Sequence, residues 1–192
     1  MNMSKILKKD TKWSILELGQ FNVSGLEAEI SKFDLEWKID TSRQDNNYTH
    51  SNTNMYQICY TDYNWSPGSS IVTNQVNNLK TPKAIKELLD IYNKLEYYYE
   101  GKIIRCEIVK MLKNTKIPKH VDGGPLLYYS RRVHVPVITN EKITFTVMDN
   151  TIHMKRGGWY EINNQLPHSV NNETDIDRVH IIIDVLPDNM RG

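Results

Sequence analysis

The spacing of hydrophobic residues changes near Gly101 and divides the chain into two parts. Before this point the clearest pattern covers residues 82–99, where apolar side chains recur every three or four positions and form one helical stripe. Thr81 is a suitable cap for the start of this helix, and Gly101 is suited to its end. A shorter helical pattern covers residues 24–33, with Ser24 as the expected cap.

Beyond residue 101, hydrophobic and polar residues alternate, as in strands that have one buried face. Turn-forming residues separate these stretches, and short strands at this spacing are typical of a sandwich or jelly-roll. Two stretches of the first part, 13–18 and 56–60, also predict strands. The predicted strands of the second part are 102–111, 131–138, 142–148, 151–155, 159–162 and 178–185.

These patterns predict a mainly β protein with flanking helices (an α+β fold). Its core would be a double-stranded β-helix, the cupin-like jelly-roll, over residues 101–187. Residues 1–100 would form a helix-containing N-terminal part, in which the polar stretch 40–54 is expected to be a loop. Because nothing resembling a linker separates the two parts, we expect a single domain over residues 1–192.

Composition and charge argue against some classes of partner. The 192 residues carry a net charge of +1, and 39% are hydrophobic and 24% charged, which is ordinary for a globular protein. This balance gives no reason to expect nucleic acid or a membrane as a partner. The basic N-terminus lacks the apolar segment of a secretory signal, so we expect a cytoplasmic protein. Cys59 and Cys106 are expected to be reduced, buried thiols.

His120, Asp122 and His168 form the most informative group of polar residues. On an extended backbone the spacing of two puts His120 and Asp122 on one face, and a jelly-roll allows His168 to reach them from a distant strand. Two imidazoles and a carboxylate can bind a divalent metal on one side and leave the other side open. The His-X-Asp pair alone is a weak signal, because it is common by chance.

Basic residues near this group suggest an anionic co-substrate. Arg178 starts the most apolar strand, where a buried guanidinium needs an anionic partner. Arg132 and His134 also share a strand face, although a salt bridge or an outward position is the ordinary explanation for such a pair. The partner of Arg178 is either a ligand carboxylate or one of three nearby aspartates, Asp175, Asp177 and Asp184.

The segment from residue 102 to residue 187 resembles the aspartyl/asparaginyl β-hydroxylase family of iron(II)- and 2-oxoglutarate-dependent oxygenases. Several motifs in the same order carry this resemblance, which makes it far more specific than the His-X-Asp pair. The motifs are His120-Val121-Asp122, Arg132-Val133-His134-Val135-Pro136, Gly158-Trp159-Tyr160-Glu161-Ile162-Asn163-Asn164, Pro167-His168-Ser169-Val170-Asn171-Asn172 and Asp177-Arg178-Val179-His180-Ile181-Ile182-Ile183-Asp184.

The resemblance implies a hydroxylase that uses Fe(II), 2-oxoglutarate and O₂ and releases succinate and CO₂. It also implies residue roles by position in the motifs. Arg178 would bind the distal carboxylate of 2-oxoglutarate, and Arg132 and His134 would contact the carboxylate next to the keto group. The iron ligands, which are also the catalytic centre, would be His120, Asp122 and His168.

Two features depart from the family pattern. A family serine that assists the distal carboxylate has no match, because residues 109–111 occupy its neighbourhood. Animal members have glycine where this chain has Asp122, and the complete set of ligands favours hydroxylation over halogenation.

The implied substrate is an Asp, Asn or Pro side chain, in a peptide or protein or as a free amino acid. Specificity is expected to come from residues 1–100, and the oligomeric state is left open. The alternative is a metal-binding cupin-type isomerase or small-molecule-binding module that is not an oxygenase. That alternative explains the metal ligands but gives no role to Arg132, His134 and Arg178.

Overall fold

The computed structural model of the protein describes residues 13–33, 37, 48–62 and 65–190. Within these residues three α-helices cover Ser24–Ile30 (α1), Pro82–Tyr99 (α2) and Pro125–Tyr129 (α3), and two short 3₁₀ helices cover Tyr48–His50 and Asp188–Met190. The strands are β1 (Ile15–Gln20), β2 (Thr53–Thr61), β3 (Thr73–Gln75), β4 (Gly101–Met111), β5 (Thr115–His120), β6 (Arg131–Ile138), β7 (Ile143–Val147), β8 (Asn150–Ile152), β9 (Gly158–Ile162), β10 (His168–Asn172) and β11 (Arg178–Pro187).

The described strands form two antiparallel sheets. The large sheet has the order β1-β9-β6-β11-β4-β2-β3, and the small sheet has the order β5-β10-β7-β8. A hydrophobic cluster joins them, with Met111 of β4 on one side and Ile117 and Phe145 of the small sheet on the other. The predicted fold class, a mainly β jelly-roll with flanking helices, is therefore confirmed.

Strand β11 is buried on both faces of the large sheet. Because side chains alternate along a strand, one set of residues packs with the helices and the other set points toward the small sheet. The first set belongs to the same hydrophobic cluster as Leu26 of α1 and Ile91 of α2, and consists of Val179, Ile181, Ile183 and Val185. The second set is also buried and mostly polar, and consists of Arg178, His180, Ile182 and Asp184.

Helices α1 and α2 cap each other with glutamates. Glu87 of α2 accepts hydrogen bonds from the backbone at the start of α1, including Gly25 N–H at 2.8 Å. Glu29 of α1 accepts one from Thr81 N–H, at 2.8 Å, at the start of α2. A carboxylate there satisfies unpaired backbone donors and interacts favourably with the helix dipole. The prediction that Ser24 caps α1 is therefore wrong, since Ser24 lies within the first turn.

Helix α2 has its predicted bounds, 82–99, and the Thr81 side chain caps it as predicted. The left-handed residue that ends the helix is Glu100 (φ 47°), rather than Gly101 as predicted. Gly101 instead begins β4, where a Cβ atom would lie 2.6 Å from the carbonyl oxygen of Leu186. Glycine is needed there because two strands approach closely.

The hydrophobic pattern does not predict β3, β5, β10 or α3. Strand β5 contains Pro118 and three basic residues, and β10 is largely polar, so neither shows clear alternation. Strands β1, β2 and β3 all join the large sheet, so the part before residue 101 contributes strands as well as helices. The expected loop 40–54 lies mostly outside the described residues. None of the described helices is both long and apolar enough to cross a membrane.

Candidate metal centre and co-substrate pocket

The structure brings the three candidate metal ligands together at one end of the small sheet. His168 begins β10 and pairs directly with His120 at the end of β5, with 4.3 Å between the ring centroids. Asp122 follows two residues after His120. One ligand atom from each of the three side chains lies within 4.8 Å of the others.

Both imidazoles are oriented by backbone carbonyl groups. The Nδ1 atom of His120 lies 2.8 Å from the carbonyl oxygen of Pro118, and that of His168 lies 2.9 Å from the carbonyl oxygen of Leu166. A carbonyl only accepts hydrogen bonds, so Nδ1 carries the proton and Nε2 carries the lone pair. Each Nε2 lies 3.8 Å from an oxygen of Asp122. Two nitrogen lone pairs and a carboxylate therefore converge, which is a donor set suited to a divalent metal.

The backbone of Asp122 is fixed by the segment that leads to His168. Its N–H donates to the carbonyl oxygen of Asn164 at 3.1 Å. Its own carbonyl oxygen accepts a hydrogen bond from the side chain of Gln165 at 3.3 Å. These contacts join the two parts of the chain that carry the candidate ligands.

Arg132 lies between two carboxylates. Its Nε and Nη2 atoms each donate to one oxygen of Asp184 at 2.9 Å, and its Nη1 atom donates to Oδ2 of Asp122. Asp184 is fully buried and also accepts a hydrogen bond from Arg105 at 2.7 Å. Asp184 therefore forms ion pairs with Arg132 and Arg105, and it is not the partner of Arg178.

Arg178 is a buried cation without an anionic partner among the described residues. Its side chain is almost fully buried, and among the described residues its guanidinium donates to Nδ1 of His180, at 2.6 Å. Asp177 instead accepts a hydrogen bond from the backbone N–H of Lys113 at 2.9 Å. Burial lowers the pKa of Arg178 to about 9, so the group is still charged at neutral pH.

His180 accepts the hydrogen bond from Arg178 because it is neutral. Burial first, and then the nearby Arg178 charge, hold the pKa of His180 well below its ordinary value. His134 lies beside it, with 3.4 Å between the two Nδ1 atoms. His180 therefore lies in the core behind the site, between Arg178 and His134.

One cavity between the two sheets has the six site residues expected from the sequence at its wall. Its polar wall includes the three candidate ligands together with Arg132, His134 and Arg178. Its apolar wall includes residues of both sheets, namely Val109, Ile117, Phe145, Val170 and Ile182. All six site residues expected from the sequence therefore face a single space.

His50 is a member of this cavity that the sequence did not predict. It lies in the polar stretch 40–54 that was expected to be a loop, and it is half-buried, with its ring edge-on to His120 at 5.4 Å. Its carbonyl oxygen accepts a hydrogen bond from the Thr53 side chain at 2.8 Å. No local pattern signals this position, because it depends on how β2 lies beside the site.

Solved structures with this fold include 2-oxoglutarate- and iron-dependent oxygenases. The viral collagen prolyl hydroxylase vCPH from Paramecium Bursaria Chlorella virus-1, solved as its 2-oxoglutarate complex, has a TM-score of 0.55 and 9% identity over 92% of this chain and 97% of that one. AviO1 from Streptomyces viridochromogenes Tue57 also has a TM-score of 0.55 and 9% identity, over 93% and 92%.

A third solved structure is an oxidoreductase of the 2OG-Fe(II) oxygenase family from Burkholderia pseudomallei. It has a TM-score of 0.50 and 13% identity over 70% of this chain. The matched part spans 66% of the Burkholderia protein. At these identities the three structures establish a shared fold.

Residues 21–187 match the family described as Aspartyl/Asparaginyl beta-hydroxylase, and the chain belongs to this family. The protein is therefore an oxygenase that uses Fe(II), 2-oxoglutarate and O₂. The match begins far upstream of residue 102, where the motif resemblance starts. The N-terminal part, which the motif resemblance did not include, thus lies largely within the family match.

Proposed function

We propose that this oxygenase hydroxylates an unactivated C–H bond of an Asp, Asn or Pro residue, with release of succinate and CO₂. In this proposal His120, Asp122 and His168 bind Fe(II), and Arg178 binds the distal carboxylate of 2-oxoglutarate. The observation that carries it is that Arg178 is buried without an anionic partner in the described part of the chain, in the cavity that also contains the candidate metal ligands.

The donor set supports iron as the metal. Both Nε2 atoms carry lone pairs and face the Asp122 carboxylate, and three protein ligands leave coordination positions for a co-substrate. Bound Fe(II), together with 2-oxoglutarate, supplies the oxidation of the C–H bond. The contribution of the chain is to orient the reactants and to keep water away from them.

Arg178 supports the binding of a dianion such as 2-oxoglutarate. An ion pair formed in a cavity walled by Phe145, Val109 and Ile182 is stronger than one in water, because the apolar side chains lower the local dielectric. A carboxylate would also compensate the desolvation of the guanidinium. The serine of the family pattern remains unmatched, since Val109 lines the wall and Met111 pairs with Arg178 across the sheet.

Arg132 and His134 are proposed to contact the carboxylate next to the keto group. Both line the cavity on the side of the large sheet. Three of the five N–H donors of Arg132 are used by Asp122 and Asp184, which leaves two for a ligand.

The substrate class rests on comparison rather than on the cavity. The family description names Asp and Asn, and the viral protein of similar fold is named a collagen prolyl hydroxylase. We propose that the substrate is either a peptide or protein or a free amino acid.

We also propose that the chain forms a single domain in a cytoplasmic protein. Residues 1–100 would be the support and substrate-binding region, and residues 101–187 would be the catalytic core. His50 supports the substrate-binding role of the first part, because it reaches the metal ligands.

The test is succinate formation from 2-oxoglutarate with Fe(II) and a panel of Asp-, Asn- and Pro-containing peptides and the free amino acids. The expected result is substrate-stimulated succinate formation that His168→Ala abolishes. Full turnover by His168→Ala would contradict the ligand assignment. A metal-binding isomerase or binding module would not bind 2-oxoglutarate at all, and it would leave the burial of Arg178 unexplained.

A further inference from the structure

Arg132 connects Asp122 to a rigid part of the large sheet. Its guanidinium forms a two-point contact with Asp184, at 2.9 Å for each bond, and its remaining edge contacts Oδ2 of Asp122. A planar guanidinium that binds two carboxylates at once fixes their relative position, because its donors have a fixed geometry.

Asp184 is well suited to be the fixed end of this connection. It lies on the central strand β11 and pairs in register with Arg132 on β6 and with Arg105 on β4. Arg105 donates to Asp184 at 2.7 Å and lies 3.6 Å from Glu107 on its own strand. The charged groups therefore form a buried row across three paired strands.

Asp122, at the other end of the connection, has no strand pairing to hold it. It lies outside the strands, between β5 and α3, and is followed by Gly123 and Gly124. Its backbone has two hydrogen bonds to the segment before His168. Those bonds fix the main chain but not the rotation of the carboxylate, and the described side chain that donates to that carboxylate is Arg132.

We propose that Arg132 is a positioning residue for the metal-binding carboxylate. By contacting Oδ2 of Asp122, and by being held in turn by Asp184, it fixes the orientation in which this carboxylate would hold the metal. This inference rests on the proposed function of Asp122 as a metal ligand. The family resemblance implies that Arg132 binds 2-oxoglutarate. The positioning role is a separate one, in which Arg132 controls the affinity of the protein for the metal.

The test is a calorimetric titration of the metal-free, full-length protein with Co(II), without 2-oxoglutarate or turnover. Arg132→Gln should raise the Kd for Co(II) about 10- to 100-fold, the usual effect of removing a group that orients a metal ligand. Arg132→Lys should be nearly as weak as Arg132→Gln, because one ammonium cannot contact both carboxylates in the same geometry. Full recovery of affinity by lysine would overturn the bridging role.

Arg178→Gln is the matched control, since it removes the other buried arginine of the same cavity. It should bind Co(II) within about twofold of the parent while losing affinity for 2-oxoglutarate. If Arg178→Gln weakens Co(II) binding as much as Arg132→Gln, the loss reflects a general disturbance of the cavity and the proposal fails.

Removing Arg132 leaves Asp184 with one fewer partner, so folding must be controlled. The double variant Arg132→Gln/Asp184→Asn removes both charges, and its circular dichroism and thermal midpoint report the fold. A folded double variant that binds Co(II) as tightly as the parent would overturn the proposal. His168→Ala distinguishes failure of the ligand assignment from failure of the positioning role. If His168→Ala binds Co(II) as tightly as the parent, the ligand assignment fails. If His168→Ala loses Co(II) affinity but Arg132→Gln does not, only the positioning role of Arg132 is rejected.

Discussion

Arg178 donates a hydrogen bond of 2.6 Å to Nδ1 of His180, two residues further along the same strand. Both side chains are buried on the face of β11 that points toward the small sheet. The imidazole accepts this bond only while it is neutral, and the burial that lowers its pKa keeps it neutral. His180 therefore helps to orient a cation that no described carboxylate compensates.

The lowered pKa of His180 predicts a pH dependence of stability. In the unfolded chain the group binds a proton near pH 6.5, whereas in the fold it does so only at much lower pH. Below pH 6.5 the unfolded state thus holds more protons, and the free energy of unfolding falls as the pH falls. His180→Asn should make this slope shallower by up to about 1.4 kcal/mol per pH unit. Urea unfolding between pH 4.5 and 7 measures it, and equal slopes would contradict the assignment.

Burial of Arg178 predicts a conflict between binding and stability. A desolvated guanidinium without a carboxylate partner costs free energy in the ligand-free protein. Arg178→Met should therefore raise the free energy of unfolding of the ligand-free protein, by about 1 kcal/mol or more. Denaturant unfolding without 2-oxoglutarate is the measurement, and a clear loss of stability would show that Arg178 has a structural partner.

The mutual capping of α1 and α2 predicts that Glu87 stabilises the fold. Its carboxylate accepts hydrogen bonds from the backbone of Gly25 and Leu26 at the start of α1. Glu87→Leu should lower the free energy of unfolding by about 1–3 kcal/mol, because buried N–H groups lose their acceptor. Glu141→Leu, at an exposed position between β6 and β7, is the matched control for loss of a carboxylate. An equal effect of both substitutions would contradict the capping role.

Local sequence patterns predicted the elements whose side chains are mainly apolar. Helix α2 was predicted with its bounds, and β4, β6 and β11 were placed to within a few residues. Strands β5 and β10 were missed because most of their residues are polar, so hydrophobic alternation is weak there. The candidate metal ligands on and beside these strands were still singled out, because the His-X-Asp and Pro-His motifs signal chemistry rather than structure.

The contacts of the site could not be predicted because they depend on strand register. Asp184 was one of the aspartates considered for Arg178, yet it pairs with Arg132, which lies directly opposite on β6. His50 was missed for a related reason, since its contact with His120 requires the 3₁₀ helix before β2 to pack beside β5. Sequence alone gives the residue types in the cavity, whereas pairing across the sheets decides which of them touch.

The central claim is that the metal ligands and Arg178 together form a 2-oxoglutarate site. The most direct measurement is a calorimetric titration of the Co(II)-loaded protein with 2-oxoglutarate, compared with the metal-free protein and with Co(II)-loaded Arg178→Gln. We expect tight binding of 2-oxoglutarate only when both the metal and Arg178 are present. In Arg178→Gln the binding free energy should weaken by about 2–5 kcal/mol. Equal affinity in Arg178→Gln, or binding that does not depend on the metal, would contradict it.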